Sequence, residues 1–389
     1  MELHFKRPDV ATESATLVLK AGLFTSSTLF LGAPRRTGKS TFLIEELTPA
    51  LEKLDALVLY VDLWKNPSTD PGELIANTIA SALAKAQGAV ARAAQAVGLS
   101  KVSIHGVEFN LGDIGSKPGA SLADALKSLI EKVERPVVLI VDEAQHAITS
   151  KEGMNAMFAL KSARDTINSP GVTRLGLVMS GSDRDKLLRL VHGNSTPFLG
   201  STINELPLLG DPYMDFLAGH LRVAKPALAI DNQRLYETFV RFDHRPEEIQ
   251  NAITRVAGPF SRLTDDNFHD LLDIQAHHYE QDRAADYANA YESLSALERA
   301  ILTRVLSHGK EGKLFTGDAL KEYTEAHGKL VQAGTAQAAT EKLRNREPPL
   351  IWKSARGDYA PEDSGMRTWY ERLEREGRWP PVDQDAAST

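Results

Sequence analysis

Apolar positions recur in two alternating rhythms along the first half of the chain. Solid aliphatic runs at 28–31 (TLFL), 57–63 (LVLYVDL), 136–141 (PVVLIV) and 174–179 (RLGLVM) read as strands buried on both faces, as the strands of a parallel sheet are. Between them apolar residues return every three or four positions. Leu74, Ile75, Ile79 and Leu83 mark a helix over 71–86, a second helix at 121–133 feeds the third run, and 154–167 is amphipathic. Residues 202–206 supply a fifth strand. Strands alternating with helices predict an α/β core closing near Gly210. One stretch departs from this rhythm: 102–111 alternates apolar and polar residues around Gly106, the pattern of a half-exposed hairpin inserted into the core.

Downstream of Gly210 the period is helical throughout. Helices are expected over 212–289, followed by Leu294, Leu297, Ile301, Leu302 and Val305 at helical spacing, then helices at 316–327 and 335–345. LIWKS at 350–354, a turn at Ala355 to Asp358 and Tyr359-Ala360-Pro361 form a hairpin pattern after them, the layout of a winged helix. The organisation predicted is a core over 1–210, a helical region over 211–292, a winged-helix domain over 293–378 and a tail over 379–389.

Composition narrows the function classes. The 389 residues, 42% hydrophobic and 25% charged, suffice for two or three domains with a real core. Absence of Cys excludes disulfides, thiolate nucleophiles and the usual structural zinc sites. No apolar run approaches the roughly 18 residues that span a bilayer, and MELHFKRPDV lacks a signal-peptide pattern; no membrane and a cytoplasmic location are expected. The net charge of −7 leaves nucleic-acid contact to a local basic surface. Acid is concentrated between Asp265 and Glu298, nine acids against the single base Arg283, whereas Arg299 to Arg378 carries a small basic excess. His277-His278 and the other histidines show no metal-ligand spacing.

Two motifs carry chemistry. The first is LGAPRRTGKST at 31–41, between a strand and an apolar helical pattern that resumes at Phe42. Backbone N–H groups of such a loop, backed by a helix N-terminus, cradle phosphate oxygens. Gly32, Ala33, Pro34, Arg35, Arg36, Thr37, Gly38, Lys39, Ser40 and Thr41 are therefore the expected ATP-binding residues. Lys39 is expected to reach the β- and γ-phosphates and Ser40 to ligate Mg²⁺. The first glycine of the GxxxxGK[ST] pattern falls on Ala33, which is tolerable if that residue is extended, as a residue before Pro34 prefers to be. The second motif is Asp142-Glu143-Ala144-Gln145 at the end of the 136–141 run, about a hundred residues later. Two carboxylates at the end of a buried strand call for a cation or hydrogen-bond partners, and strand C-termini are where open α/β sheets bind ligands. Asp142 is expected to hold Mg²⁺, and Glu143 to orient the attacking water.

The 174–179 run ends in Ser180-Gly181-Ser182, and a strand lying between the two motifs would bring Ser180, or else Ser182, close to the γ-phosphate; the alternative is a turn starting a helix capped by Asp183. Asp62, ending the 57–63 run, either supports the metal or, as we favour, caps the next turn.

Taken in order, GAPRRTGKST, the strand with DEAQ, the strand ending MSGS and the helical segment with HRPEE resemble P-loop ATPases of the AAA+/STAND group, especially bacterial and archaeal ATPases similar to origin-recognition proteins. That resemblance implies a P-loop sheet flanked by helices, a helical lid, ATP hydrolysis to ADP and phosphate, Glu143 as catalytic base and Ser180 as the sensor of the γ-phosphate. Arg245, just before a helix-starting proline, matches the second sensor position, or is an ordinary surface residue. The family's arginine finger has no counterpart near 197–202; Arg184 and Arg189 lie closest. A homo-oligomer is a further implied possibility.

The C-terminal domain offers two partners. If duplex DNA, the third helix enters the major groove with Gln337, Lys342, Arg344 and Arg346 as contacts and Lys353 and Arg356 reaching phosphate. If a protein, the chain is a nucleotide-controlled switch. Ala338, Ala339 and Leu343 are expected to face the core.

Overall fold

The computed structural model describes residues 4–20, 27–66, 68–87, 101–104, 107–110, 122–182, 187–192, 196–309, 312–353 and 359–381. It divides into two units, Met1–Pro207 and Leu208–Thr389.

In the first unit the aliphatic runs become strands β1 (Thr28–Gly32), β2 (Leu57–Asp62), β5 (Val137–Asp142), β6 (Leu175–Gly181) and β7 (Ile203–Glu205), in one parallel sheet of order β2-β5-β6-β1-β7. Backbone strands β3 (Lys101–Ile104) and β4 (Val107–Asn110) pair antiparallel as a separate two-stranded sheet, the expected hairpin; its Gly106 lies outside the described residues. Val137 to Val141 are fully buried, as a central strand covered on both faces must be. Burying each such side chain stabilises by about 1.5–3 kcal/mol, which is why β5 can carry acids at its end without fraying.

Helices cover both faces. On one, α4 (Pro71–Gln87), α5 (Leu122–Val133) and α6 (Lys151–Ile167) pack Ile75, Ile79, Leu126, Leu129 and Leu160 onto Leu139, Val141 and Leu177. On the other, α1 (Pro8–Leu19) brings Ala11, Ala15 and Val18 against Val138, Ile140 and Val178. The first-turn Pro and the i, i+4, i+7 spacing of these small residues are sufficient cause for α1, although alanines make a weak sequence signal. The helix after the phosphate loop begins as α2 (Lys39–Phe42), widens into a π-helical turn at Leu43–Leu47 and resumes as α3 (Thr48–Glu52). Its Glu46 is buried and paired with Arg7, Nη2 to Oε1 3.0 Å. No residue type announces that π turn in advance.

The second unit is helical: α7 (Asp211–Ala224), α8 (Asn232–Arg241), α9 (Pro246–Ala257) and the long α10 (Phe268–Glu292) come first. Then α11 (Ala296–His308), α12 (Gly317–His327) and α13 (Ala333–Asn345) are followed by the antiparallel pair β8 (Ile351–Lys353) and β9 (Tyr359–Pro361), and by α14 (Ser364–Arg375). Ser295 caps α11 with Glu298 in a reciprocal box, Thr316 caps α12 and Asp363 caps α14. One core joins Tyr287 and Tyr291 at the end of α10 to Ile301, Leu302, Tyr323, Leu343 and Trp369. This is the element order of three helices and a hairpin read from the sequence. Among the described residues no helix is long and apolar enough to cross a membrane.

Candidate active site

Parallel pairing brings the two motifs together. Because β6 lies between β5 and β1, the ends of all three strands converge on one edge, the edge where open parallel sheets bind ligands. Ala33 donates its N–H to the Gly181 carbonyl (3.3 Å) and is not among the left-handed residues; positive φ falls instead on Arg36 (66°) and Gly38 (85°). An alanine at the pattern's first position is therefore accommodated, while Gly38 sits where a side chain would be strained. Thr37 bonds back to the Pro34 carbonyl at 2.8 Å, closing the loop.

Lys39 and Asp142 form the centre. Lys39 Nζ donates to Asp142 Oδ1 at 2.7 Å and to Glu143 Oε1 at 2.8 Å, with side chains 5%, 1% and 18% exposed respectively. Asp142 Oδ2 accepts from Ser40 Oγ (2.6 Å) and from Tyr60 OH (2.9 Å). Oδ1 also accepts from the buried Ser180 hydroxyl and from the Glu143 N–H (2.9 Å). Glu143 Oε2 accepts from the Gln145 amide and from Ser182 Oγ at 2.8 Å. Gly181 makes room for this: a Cβ there would come within 2.4 Å of Gln145 Oε1.

Electrostatics follows from this packing. Burial pushes the Asp142 carboxyl up, but the Lys39 ammonium and the donors Lys39, Ser180 and Ser40 outweigh it and hold it at about 2. Glu143 is lowered for the same reason, burial being overcome by Lys39, Gln145 and Ser182. Burial alone would lower Lys39, yet the two carboxylates raise it. Burial, then the neighbouring Asp142 charge, push the Tyr60 phenol up, so it remains a donor. Glu143 itself sits in the left-handed region, φ 53°, a conformation that costs on the order of 1–2 kcal/mol for a residue with a side chain and clusters at functional sites.

Several expected residues meet here: Gly38, Lys39, Ser40, Asp142, Glu143, Ser180 and Ser182. Asp62 instead caps its turn, Oδ1 accepting from Trp64 N at 2.8 Å. Tyr60 and Gln145 enter without having been singled out. The signal for Tyr60 was a lone phenol two residues before Asp62 in an otherwise aliphatic strand, hence on the same sheet face. Asp183 and Arg184 lie outside the described residues, and Arg189 is exposed.

In the second unit Arg245, at the N-terminus of α9, points its Nη2 at Asp363 Oδ2 (3.2 Å) and lies 3.8 Å from Asp243; Arg283 also pairs with Asp363. On α13 two expectations are corrected. Arg344 is buried (9%) against Glu341, Nη1 to Oε1 2.5 Å, and cannot reach DNA from there, because it follows the core residue Leu343 and shares the face of Thr340. Ala338 is exposed, while Ala339 and Leu343 are core: the helix is rotated so that 336, 339, 340 and 343 face inward. Gln337 and Lys342 face out, Arg346 is half-buried 3.5 Å from Ser293 Oγ, and Lys353 Nζ lies 5.4 Å from the Tyr359 ring centroid. Arg356 lies outside the described residues.

The fold defines a class: a P-loop ATPase fold with a helical second unit, similar to Walker-type ATPases and origin-recognition proteins. The Walker-type ATPase of Pyrococcus abyssi superposes with a TM-score of 0.54 at 15% identity, over 92% of this chain and 95% of that one. The ORC2 protein of Aeropyrum pernix in its ADP form superposes with a TM-score of 0.52 at 16% identity, over 96% and 93%. No family model matches the chain, and no curated protein sequence does.

Proposed function

We propose that this chain binds Mg·ATP at the phosphate loop, hydrolyses it to ADP and phosphate, and couples nucleotide state to contacts made by its C-terminal three-helix and hairpin region, a winged helix in this reading. The carrying observation is the Lys39–Ser40–Asp142–Glu143 cluster. A lysine and a hydroxyl at the start of α2 lie within hydrogen-bond distance of carboxylates at the end of β5, more than a hundred residues further along the chain. The likeness to an origin-recognition protein solved in its ADP form supports the nucleotide.

The donor set fits the metal. Ser40 Oγ and Asp142 Oδ2 are hard oxygens 2.6 Å apart, and the three charges of the cluster, Lys39, Asp142 and Glu143, sum to one negative charge that a cation offsets. When bound, Mg²⁺ would neutralise charge on the phosphates. Ser40 would ligate it, and Asp142, which accepts the Ser40 hydroxyl, would help hold it. Lys39 would exchange its two carboxylates for phosphate oxygens, which frees Glu143 Oε1. Glu143 would then accept a proton from water, its other oxygen kept in place by Gln145 and Ser182. Ser180 would remain on Asp142 and relay its position to the γ-phosphate side. Arg245 would serve as second sensor only by leaving Asp363. Copies of the chain assembling side by side remain a proposed source of an arginine finger.

For the C-terminal region a protein partner is the second reading, and α13 favours it over DNA. Its outward face carries Gln337, Ala338 and the single base Lys342, with Arg344 turned inward. A phosphate-binding face needs more positive charge than that. The hydrolysis reading is tested with Glu143→Gln: nucleotide binding is expected to persist while turnover falls about 10²-fold or more, measured by phosphate release and calorimetry. Wild-type turnover in Glu143→Gln would sink it.

A further inference from the structure

We propose that Tyr60 is a positioning residue that keeps Asp142 from ligating the metal directly, and so sets a preference for Mg²⁺ over larger divalent cations; this rests on the Mg·ATP reading above. Asp142 Oδ2 accepts Ser40 Oγ at 2.6 Å and Tyr60 OH at 2.9 Å, and Oδ1 accepts Lys39 Nζ at 2.7 Å, the Glu143 N–H at 2.9 Å and the Ser180 hydroxyl. A carboxylate offers about four lone-pair sites in all, two per oxygen; once Lys39 moves to the phosphates, the Glu143 N–H and Ser180 fill Oδ1, and Ser40 and Tyr60 fill Oδ2. With Tyr60 in place, Oδ2 has none left for a cation. Ser40 differs, because a hydroxyl can give a lone pair to the metal while still donating its proton to Oδ2. The carboxylate therefore acts through Ser40 and through water.

That arrangement discriminates between cations. Mg²⁺ gives up its waters reluctantly and tolerates few direct carboxylates, whereas Ca²⁺ takes six to eight oxygens and binds carboxylates directly. A carboxylate whose oxygen on the Ser40 side is already filled suits the first ion. Position explains why Tyr60 can do this. Asp62 is the register partner of Asp142 in the β2–β5 pairing, and Tyr60, two residues earlier, shares its face. An aromatic is long enough to reach the carboxylate diagonally across the strands. Its ring packs against the α1-side core, so the strand places the hydroxyl without a flexible chain.

The experiment is calorimetric titration of ADP into wild type and Tyr60→Phe in EDTA, in Mg²⁺ and in Ca²⁺, with thermal unfolding alongside. The phenylalanine keeps the ring. Metal-free ADP affinity is expected to agree within about twofold, while the Mg²⁺ enhancement falls about tenfold, the usual effect of losing a partner behind a metal ligand. The Ca²⁺ enhancement is expected to fall less or to rise, lowering the Mg²⁺-to-Ca²⁺ ratio about tenfold. An unchanged ratio overturns the assignment, whether or not the melting temperature moves, because a packing role would not touch selectivity. A wild-type protein whose ADP affinity ignores Mg²⁺ would instead overturn the metal site itself, and this inference with it.

Discussion

Lys39→Met removes the cation that bridges Asp142 and Glu143, and its effect on stability can be worked out before any nucleotide is considered. The contacts are 2.7 and 2.8 Å. At an effective dielectric of about 20 each such contact attracts by about 6 kcal/mol, offset by the several kcal/mol needed to dehydrate the ammonium. Removing one member of a buried charge cluster costs about 3–5 kcal/mol. Gln145, Ser182, Ser40, Tyr60 and Ser180 still serve the carboxylates, which puts the expected loss at the lower end, about 3 kcal/mol at pH 7. For a unit of this length that lowers the melting temperature by about 6–12 °C.

The pH dependence supplies the sharper test. In the wild type Asp142 titrates at about 2 against an ordinary 3.8, so its contribution of about 2 kcal/mol is fully present above the ordinary value and lost as pH falls through the folded one. Without Lys39, burial is expected to win and carry the carboxyl above the ordinary value, so the sign reverses and acidification stabilises the variant. The gap between the proteins should therefore shrink between about pH 7 and about pH 4. Thermal or urea unfolding of nucleotide-free full-length protein across that range measures it. Equal stability at pH 7, or a gap indifferent to pH, would refute the claim that these charges hold one another.

Two further outcomes concern the second unit. Asp363 both caps α14, accepting from Gly365 N at 2.9 Å, and pairs with Arg245 and Arg283; Asp363→Asn keeps the cap and removes the charge, so urea unfolding should show a loss of about 2 kcal/mol. Asp363→Ala should cost about 1 kcal/mol more, and identical losses for the two would separate the cap from the argument. The α13–hairpin surface offers Lys342, Arg346 and Lys353 as bases among the described residues. Any gel-shift affinity for duplex DNA should then follow log salt with a slope no steeper than about −3, and a slope beyond about −5 would show a phosphate-binding surface that α13 does not supply.

Much of the site was legible in the sequence because its parts are local. Gly38-Lys39-Ser40 and Asp142-Glu143 follow apolar runs that can only be buried strands, and hydrophobic burial fixes where such strands end. Ser180 was within reach for the same reason. What sequence left open depends on rotation and register. Tyr60 meets Asp142 across 82 residues only because β2 pairs with β5 as it does, and Gln145 meets Glu143 because the chain turns through a left-handed residue and Gly181 leaves space. Arg344 and Ala338 traded places, since one turn of helix phase decides which side of α13 is core and periodicity in an alanine-rich helix barely specifies that phase. The sequence by itself determined which residues could do phosphate chemistry; only the tertiary structure decided which donors saturate Asp142 and which arginines are already spent on Asp363, because those contacts arise between elements whose facing is set by packing rather than by spacing.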